Sequence, residues 1–387
     1  MQDIGVGSGF VESSDGKGAT QDESLNYFLT EEETADLAFP YARPPQVSYS
    51  GQDFDVEGLV RRLKRGDIVI PSFGDTDEDI ETAGFQRGFV WRKPQMDRFI
   101  ESLLLGYPIP GIFLVRQSDN RMLVLDGQQR LRTLLYFYSG ILNDRVFKLN
   151  DVSDDFKGVT YESLPEEARR NLDNTFIQAT IVTAQPDADN MDAIYQIFER
   201  LNSGGTQLTA HEIRVALYAG EVIDYLEILN RDAAWRGLYG KKNARIRDQE
   251  LIARIIALYL RSDEYSRPLK TFINSFLDEN RPNVREETKN AGDLFLRTSE
   301  KLSEIFGPES LRRASRQVNN AWTDALYFGV MRRLATSGDI SRDELEIGYA
   351  QLRESDEFQQ VSTGPSADDY RVKKRLQLAE EAFANNE

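Results

Sequence analysis

The stretch from Met122 to Leu131 constrains the fold most strongly, because it joins a strand to a helix with almost no linker. The apolar run Met122–Leu125 predicts a strand that ends at Asp126. Gly127 follows, and a glycine permits a sharp turn or the close approach of another group. The predicted helix, which extends to about Ser139, opens with three large polar side chains: Gln128, Gln129 and Arg130.

This junction has the chemistry of an anion site. A helix N-terminus presents unpaired N–H donors and a partial positive charge, which suit phosphate. Arg130 can add a forked, charge-assisted contact. Asp126 has three possible roles: it caps the helix, holds Mg²⁺ or orients a water molecule. A capped helix with a polar first turn is the alternative, and the residues alone leave both interpretations open.

Composition limits the chemistry further. The 47 basic and 64 acidic residues give a net charge of −17, which argues against a protein that coats nucleic acid, although a local basic groove is compatible with it. The absence of cysteine excludes disulfides, thiol nucleophiles and zinc-thiolate sites. The single histidine, His211, excludes any site that needs two, and we predict that it is a surface helix residue. Carboxylates, amides, arginines and hydroxyls remain, with or without a hard metal ion.

Charge and periodicity divide the chain into three parts. Residues 1–40 hold nine acidic residues and one basic residue, and we predict a disordered tail. Residues 41–220 mix strand and helix patterns, whereas 221–387 are mainly helical. The first residues lack the features of a signal peptide, and no apolar run reaches the roughly 20 residues of a membrane span. We therefore expect a cytoplasmic protein without a membrane partner.

Further local patterns predict particular elements. Ser163 with Glu166, and Thr209 with Glu212, have the spacing of capping boxes. The acidic loop 75–79 is predicted to be solvated rather than to bind a cation. The remaining predicted strands and helices are 54–65, 67–73, 85–91, a helix opened by Pro94, 111–116, 145–149, 176–183, 191–201 and 248–261.

Four motifs in order carry a resemblance to a known family. They are Phe-Gln-Arg-Gly-Phe-Val-Trp at 85–91, Phe-Ile-Glu-Ser-Leu-Leu-Leu-Gly-Tyr-Pro-Ile-Pro at 99–110, Asp-Gly-Gln-Gln-Arg at 126–130, and Ile-Phe-Glu-Arg-Leu-Asn-Ser-Gly-Gly-Thr-Gln-Leu-Thr at 197–209 with its continuation to Arg214. Together they resemble the N-terminal domain of GmrSD-type restriction proteins, in the ParB/sulfiredoxin-like superfamily. The resemblance covers roughly residues 54–220 and, more loosely, the helical segment 221–280.

The resemblance implies an α+β fold, in which a small mixed α/β nucleotide-binding core precedes a mainly helical C-terminal region. In several members the Asp-Gly-Gln-Gln-Arg motif is tied to binding or hydrolysis of a nucleoside triphosphate, often coupled to defence against phage DNA. The implied catalytic residues are Asp126, Gln129 and Arg130. The implied nucleotide-binding residues are Gln86, Arg87, Gly127, Gln128, Arg130 and Asn202. Asp126 is also the candidate ligand for Mg²⁺.

Some matched positions have a structural alternative. Trp91 is better explained as a core anchor, and a structural role is also favoured for three residues of the last motif: Asn202, Glu212 and Arg214. Many relatives carry a His-Asn-His nuclease domain, which a chain with one histidine is not expected to contain.

The leading hypothesis is a protein that binds and hydrolyses a nucleoside triphosphate. Arg87 and Arg130 would hold phosphates, and Asp126, through Mg²⁺, would place the metal or the attacking water. The first alternative is a non-catalytic, nucleotide-controlled module that engages a separately encoded effector protein. The second is an effector that binds or cleaves DNA, although the net charge predicts only weak or indirect DNA binding.

Overall fold

The computed structural model describes most of the chain: residues 47–71, 91–117, 119–183, 190–201, 209–243, 245–313, 317–363 and 367–384. The predicted tail 1–40, the acidic loop 75–79 and the extended piece 85–90 lie outside these ranges, and so do three predicted site residues: Gln86, Arg87 and Asn202.

A mixed five-stranded sheet organises the first half of the described chain. Its strands are β1 (Ser48–Asp55), β2 (Ile68–Val69), β3 (Ile112–Arg116), β4 (Met122–Asp126) and, after a short hairpin of β5 (Ile141–Leu142) and β6 (Arg145–Val146), β7 (Phe176–Thr183). The strand order is β1-β7-β3-β4-β2. The pairs β2–β4 and β3–β7 are parallel, whereas β1–β7 and β3–β4 are antiparallel.

Helices surround this sheet and then form the rest of the molecule. Between the strands lie α1 (Val56–Arg65), α2 (Lys93–Leu104), α3 (Gln128–Ser139) and α4 (Glu166–Asp173). After β7 come α5 (Asn190–Leu201), α6 (Ala210–Leu217), α7 (Glu221–Asn230), α8 (Ala233–Tyr239), α9 (Arg247–Arg261), α10 (Leu269–Asn280), α11 (Glu286–Ile305), α12 (Asn320–Ser337), α13 (Arg342–Glu354), α14 (Asp356–Ser362) and α15 (Asp369–Ala382). The predicted α+β class with a helical C-terminal region is confirmed, while the domain boundaries at 40 and 220 stay predictions.

The two faces of the sheet belong to two different hydrophobic cores. Side chains alternate along a strand, so neighbours in β4 point to opposite faces. Met122 and Val124 belong to the core that includes residues of α1, α2 and α3. Leu123 and Leu125 belong to the core that includes α5 and the helices that follow it. The strand that ends at Asp126 is therefore held from both sides.

Local sequence signals had mixed success. The predicted bounds of α3 and β7 match the structure, and α2 starts one residue before Pro94. Thr209 and Glu212 form the predicted capping box at the start of α6. The capping box predicted at Ser163 is wrong, because Pro165 occupies the N-cap position of α4. The Ser163 hydroxyl instead contacts Thr160 in the preceding turn.

Candidate functional site

The N-terminus of α3 is built around Gly127. This residue is the N-cap, with a φ of 94°, in the left-handed region that favours glycine. A Cβ added here would lie 2.5 Å from Cγ2 of Ile112 in the neighbouring strand. The glycine therefore serves both purposes that the sequence suggested, a turn and a close approach. It has no side chain that could cap the first-turn N–H groups of α3.

Arg130 ties this turn to the neighbouring chain. Its Nη1 donates to the carbonyl oxygens of Pro110 and Gly111, the latter at 2.8 Å, just before β3 begins. Its Nη2 lies 2.7 Å from Oδ2 of Asp126. The Arg130 side chain is 11% exposed, whereas that of Asp126 is 48% exposed. The arginine thus holds the carboxylate in place, and the carboxylate is the more open of the two groups.

Two further contacts anchor the chain on either side of the undescribed segment 72–90. The Arg132 Nη2 donates to the Pro71 carbonyl oxygen at 3.0 Å, where the chain leaves β2. The backbone N–H of Trp91 donates to Oε1 of Gln129 at 3.2 Å. The segment that contains Gln86 and Arg87 therefore starts and ends beside the first two turns of α3.

The contacts of Trp91 support its interpretation as a core anchor. Its ring meets that of Phe99 edge to face, with the centroids 5.5 Å apart, and it packs against the core around α1, α2 and α3. An edge-to-face pair of this kind adds to the stability gained from burial. Trp91 thus anchors the start of α2, which follows it directly.

The end of the last matched motif, residues 209–214, is largely buried. The Glu212 Oε2 accepts from the backbone N–H of Thr209 at 2.6 Å and pairs with Arg245 at 3.0 Å. Arg214 donates to Oδ1 of Asn274 at 2.8 Å and pairs with Glu250 at 2.6 Å. Because both side chains are buried, these contacts support the structural role that the sequence analysis favoured.

The prediction that His211 lies at the surface is wrong. His211 is fully buried, and its Nε2 lies 3.0 Å from Oε1 of Gln249 in α9. Burial, with a smaller contribution from the charge of Arg214, lowers the pKa of His211 from 6.5 to about 3. The imidazole is therefore neutral at physiological pH. No local signal revealed this, because α6 is enclosed by helices whose sequences lie further along the chain.

Asp126 is the best-placed candidate for a metal ligand. Within the described ranges, no three Asp, Glu or His side chains come close enough together to hold a metal ion. Mg²⁺ commonly binds through one or two carboxylates together with the phosphates of a substrate. Asp126 is a half-exposed carboxylate beside a helix N-terminus, so it fits a mode of Mg²⁺ binding in which the phosphates of a substrate supply further ligands.

The helices described above include none with the length and apolar character needed to cross a bilayer.

Comparison with known families places the domain. Residues 58–219 match the family model described as the GmrSD restriction endonuclease, N-terminal domain. The matched segment begins in α1, ends after α6 and includes the whole α3 junction. These residues are therefore a GmrSD-type N-terminal domain, which indicates a role related to restriction systems and defence against phage. Comparison with curated proteins gave no match.

Proposed function

We propose that the N-terminus of α3 binds the phosphates of a nucleoside triphosphate and that the protein hydrolyses this nucleotide. The observation that carries the proposal is a helix N-terminus that begins at a glycine, Gly127, beside a half-exposed carboxylate. Gly127 supplies no side-chain cap of its own, and N–H groups at a helix N-terminus bind phosphate in many proteins. Asp126, at the same edge of the sheet, would supply a carboxylate ligand for the metal ion that accompanies the phosphates.

Each residue of the Asp-Gly-Gln-Gln-Arg motif has a separate part in this proposal. Gly127 keeps the helix N-terminus open, and the N–H groups that follow it, beginning with Gln128, surround a phosphate. Arg130 lends positive charge and fixes the orientation of Asp126. Asp126 would hold Mg²⁺, which would neutralise charge on the phosphates, or would orient the attacking water. Phosphoryl transfer depends mostly on positioning and charge neutralisation, so these groups suffice.

Residues outside the described ranges complete the proposed site. Gln86 and Arg87 precede Trp91 by five and four residues, and the Trp91 backbone contacts Gln129 in the first turn of α3. We expect Arg87 to hold a phosphate and Gln86 to face the same ligand. Asn202 follows directly after α5 and stays a candidate contact.

The decisive test separates binding from turnover. Asp126→Asn keeps the size of the side chain and removes its charge, so nucleotide binding should largely survive while phosphate release falls about 100-fold or more. Asp119→Asn is the matched control, because Asp119 is also about half exposed and paired with an arginine, Arg121, at 2.6 Å. Titration calorimetry with each nucleoside triphosphate and Mg²⁺, followed by a phosphate-release assay, measures both quantities.

Arg130 is tested through binding. Arg130→Ala removes the positive charge proposed to act on the phosphates. If that charge is worth as much as a charge-assisted contact, about 1.5–3 kcal/mol, affinity should fall by one to two orders of magnitude. The variant also loses the contacts to Pro110 and Gly111, so thermal denaturation and the Arg130→Lys variant, which keeps the charge, must accompany it. Wild-type affinity in Arg130→Ala would refute the phosphate assignment, and wild-type turnover in Asp126→Asn would refute the catalytic one.

A non-catalytic, nucleotide-controlled module is the second candidate function. It is favoured by β4, whose residues Leu123 and Leu125 pack into the core of the helical region while Asp126 ends the same strand. A nucleotide at this edge would therefore act on a strand that both cores share, and the helical region would present the change to a separately encoded effector protein. Binding without any phosphate release by the wild-type protein would favour this candidate over the enzyme.

A further inference from the structure

A pocket of about 350 Å³ lies between α1, β2 and α3. Most of its lining is apolar, and it includes Leu63, Ile68, Ile70, Arg132, Leu135 and Tyr136. Its volume falls at the lower end of the range of small-molecule sites, about 300–1,000 Å³. The pocket sits beside β2, one of the two edge strands of the sheet. It is distinct from the Asp126–Arg130 pair, and none of the roles proposed above uses it.

The pocket lies along the same side of α3 as the proposed phosphate site. Gln128, Arg132 and Tyr136 are spaced four residues apart, which places them in one row on the helix surface. Along the helix axis, Arg132 and Tyr136 follow Gln128 by about 6 and 12 Å. A ligand with its phosphates at the start of α3 can therefore extend along this row into the pocket.

The lining suits a flat, partly polar group. Aliphatic side chains form most of the walls, and Tyr136 adds an aromatic ring. Arg132 uses Nη2 for the Pro71 carbonyl oxygen, while its buried Nε has no hydrogen-bond partner within the described part of the chain. A buried donor of this kind is costly unless a ligand acceptor satisfies it. Nucleobases combine an apolar face with acceptor atoms at the edge.

The charge around the pocket favours an anionic ligand. Helix α1, which contributes Leu63 to the lining, carries four basic residues and one acidic residue, a net charge of +3. The whole chain, in contrast, has a net charge of −17. The basic residues of α1 are Arg61, Arg62, Lys64 and Arg65. This local excess of positive charge is more favourable to an anionic ligand than the acidic chain as a whole.

We propose that this pocket binds the base and sugar of the nucleotide whose phosphates lie at the N-terminus of α3. The inference rests on the proposed function and adds the part of the site that distinguishes one nucleotide from another. Tyr136 and the aliphatic side chains hold the base, and the Nε of Arg132 donates to one of its acceptor atoms.

The test compares nucleotides with a probe that has no base. Titration calorimetry should show that the wild-type protein, with Mg²⁺, binds at least one nucleoside triphosphate about tenfold more tightly than inorganic tripolyphosphate. Leu135→Trp, which fills the pocket, should remove this difference and leave the affinity for tripolyphosphate unchanged. Leu105→Trp is the matched control, because Leu105 is exposed at the end of α2 and does not line the pocket.

A second variant guards against a misfolded protein. Tyr136→Leu keeps a bulky apolar side chain and loses the ring, so it should reduce the preference for the nucleotide severalfold; thermal denaturation verifies the fold of each variant. If the wild-type protein prefers a nucleotide and both pocket variants keep that preference, the pocket assignment is overturned while the proposed function stands. If the wild-type protein binds neither probe, the proposed function fails and the pocket assignment fails with it.

A final experiment asks whether the base in the pocket belongs to a free nucleotide or to a nucleic-acid chain. A fluorescent single-stranded oligonucleotide is titrated at physiological salt against the wild-type protein and Leu135→Trp. We expect weak binding that is the same for both. Tight binding that Leu135→Trp abolishes would overturn the assignment to a free nucleotide and would place a base of a nucleic-acid chain in the pocket.

Discussion

Two arginines of the matched family motifs, Arg130 and Arg214, each pair with a carboxylate, but the two pairs differ in exposure. At the start of α3, Arg130 pairs with Asp126, and the carboxylate side chain is 48% exposed. In α6, Arg214 pairs with Glu250, and the two side chains are only 2% and 20% exposed. The first pair leaves a carboxylate half exposed to solvent, whereas the second is enclosed by protein. A motif match alone does not separate these cases, but the exposure of the carboxylate does.

The enclosed pair holds helices together. Arg214 in α6 reaches Glu250 in α9 and Asn274 in α10, and its guanidinium lies 5.6 Å from the ring of Tyr195 in α5. Four helices therefore meet on one side chain. Desolvation of two charges offsets much of their attraction, so such a pair contributes more to the arrangement of the helices than to net stability.

Removal of Arg214 is expected to give the largest effect. Arg214→Ala leaves Glu250 without its partner in a largely buried position, which should lower the free energy of unfolding by about 3–5 kcal/mol. The exposed pair of Arg170 with Glu166 on α4 is the control, and Arg170→Ala should lower it by less than about 1 kcal/mol. Chemical denaturation measures both values. Similar losses in the two variants would show that the enclosed pair is no different from a surface pair.

Gly127→Ala tests the first of the two regions, the start of α3. The left-handed backbone adds about 1–2 kcal/mol of strain, and the contact with Ile112 adds an overpacking cost of about 1–3 kcal/mol. Gly140 at the far end of α3 has a similar φ, 73°, and nothing within 4 Å of an added Cβ. Gly140→Ala should therefore show the strain alone. The difference between the two losses in thermal or chemical denaturation isolates the close approach, and equal losses would rule it out.

The buried His211 gives a smaller, pH-dependent effect. Its folded pKa of about 3 lies below the ordinary value of 6.5, so below pH 6.5 the unfolded chain binds a proton that the folded protein does not. Stability is therefore complete above pH 6.5 and decreases as the pH falls toward 3. Between pH 7.5 and 5 the loss is about 2 kcal/mol.

His211→Gln provides the reference for this effect. Glutamine cannot titrate, so the variant should lose about 2 kcal/mol less than the wild-type protein over the same pH interval, whatever its stability at pH 7.5. Chemical denaturation at the two pH values gives the comparison. Parallel losses in both proteins would mean that the imidazole is accessible to protons in the folded state.

Sequence patterns predicted the features that depend on neighbouring residues. The bounds of α3 follow from helical periodicity and its flanking glycines, and the box at Thr209 follows from a spacing of three residues. The two roles of Gly127 were also accessible, since glycine is favoured for either. Local chemistry therefore identified where the candidate site begins.

Features that depend on distant residues could not be predicted. Arg130 bonds to carbonyl oxygens at 110 and 111 only because β3 and β4 pair antiparallel, which brings the start of one beside the end of the other. His211 is buried because Gln249 and its helix cover it. Polar residues on a short helix look like a solvated face until the covering helices are known.

The contacts of Arg214 extend beyond the part of the chain that the family model matches. The matched family segment ends at residue 219, yet Glu250, Asn274 and the Lys270 carbonyl, which surround the guanidinium, all come later in the chain. A fragment that ends at that boundary would retain Asp126, Gly127 and Arg130. It would leave the guanidinium of Arg214 without the partners that it has in the full chain. The segment that the family model matches is therefore shorter than the segment that supplies the buried contacts of Arg214. A different C-terminal region that also buried this arginine would need to supply an acceptor for its charge.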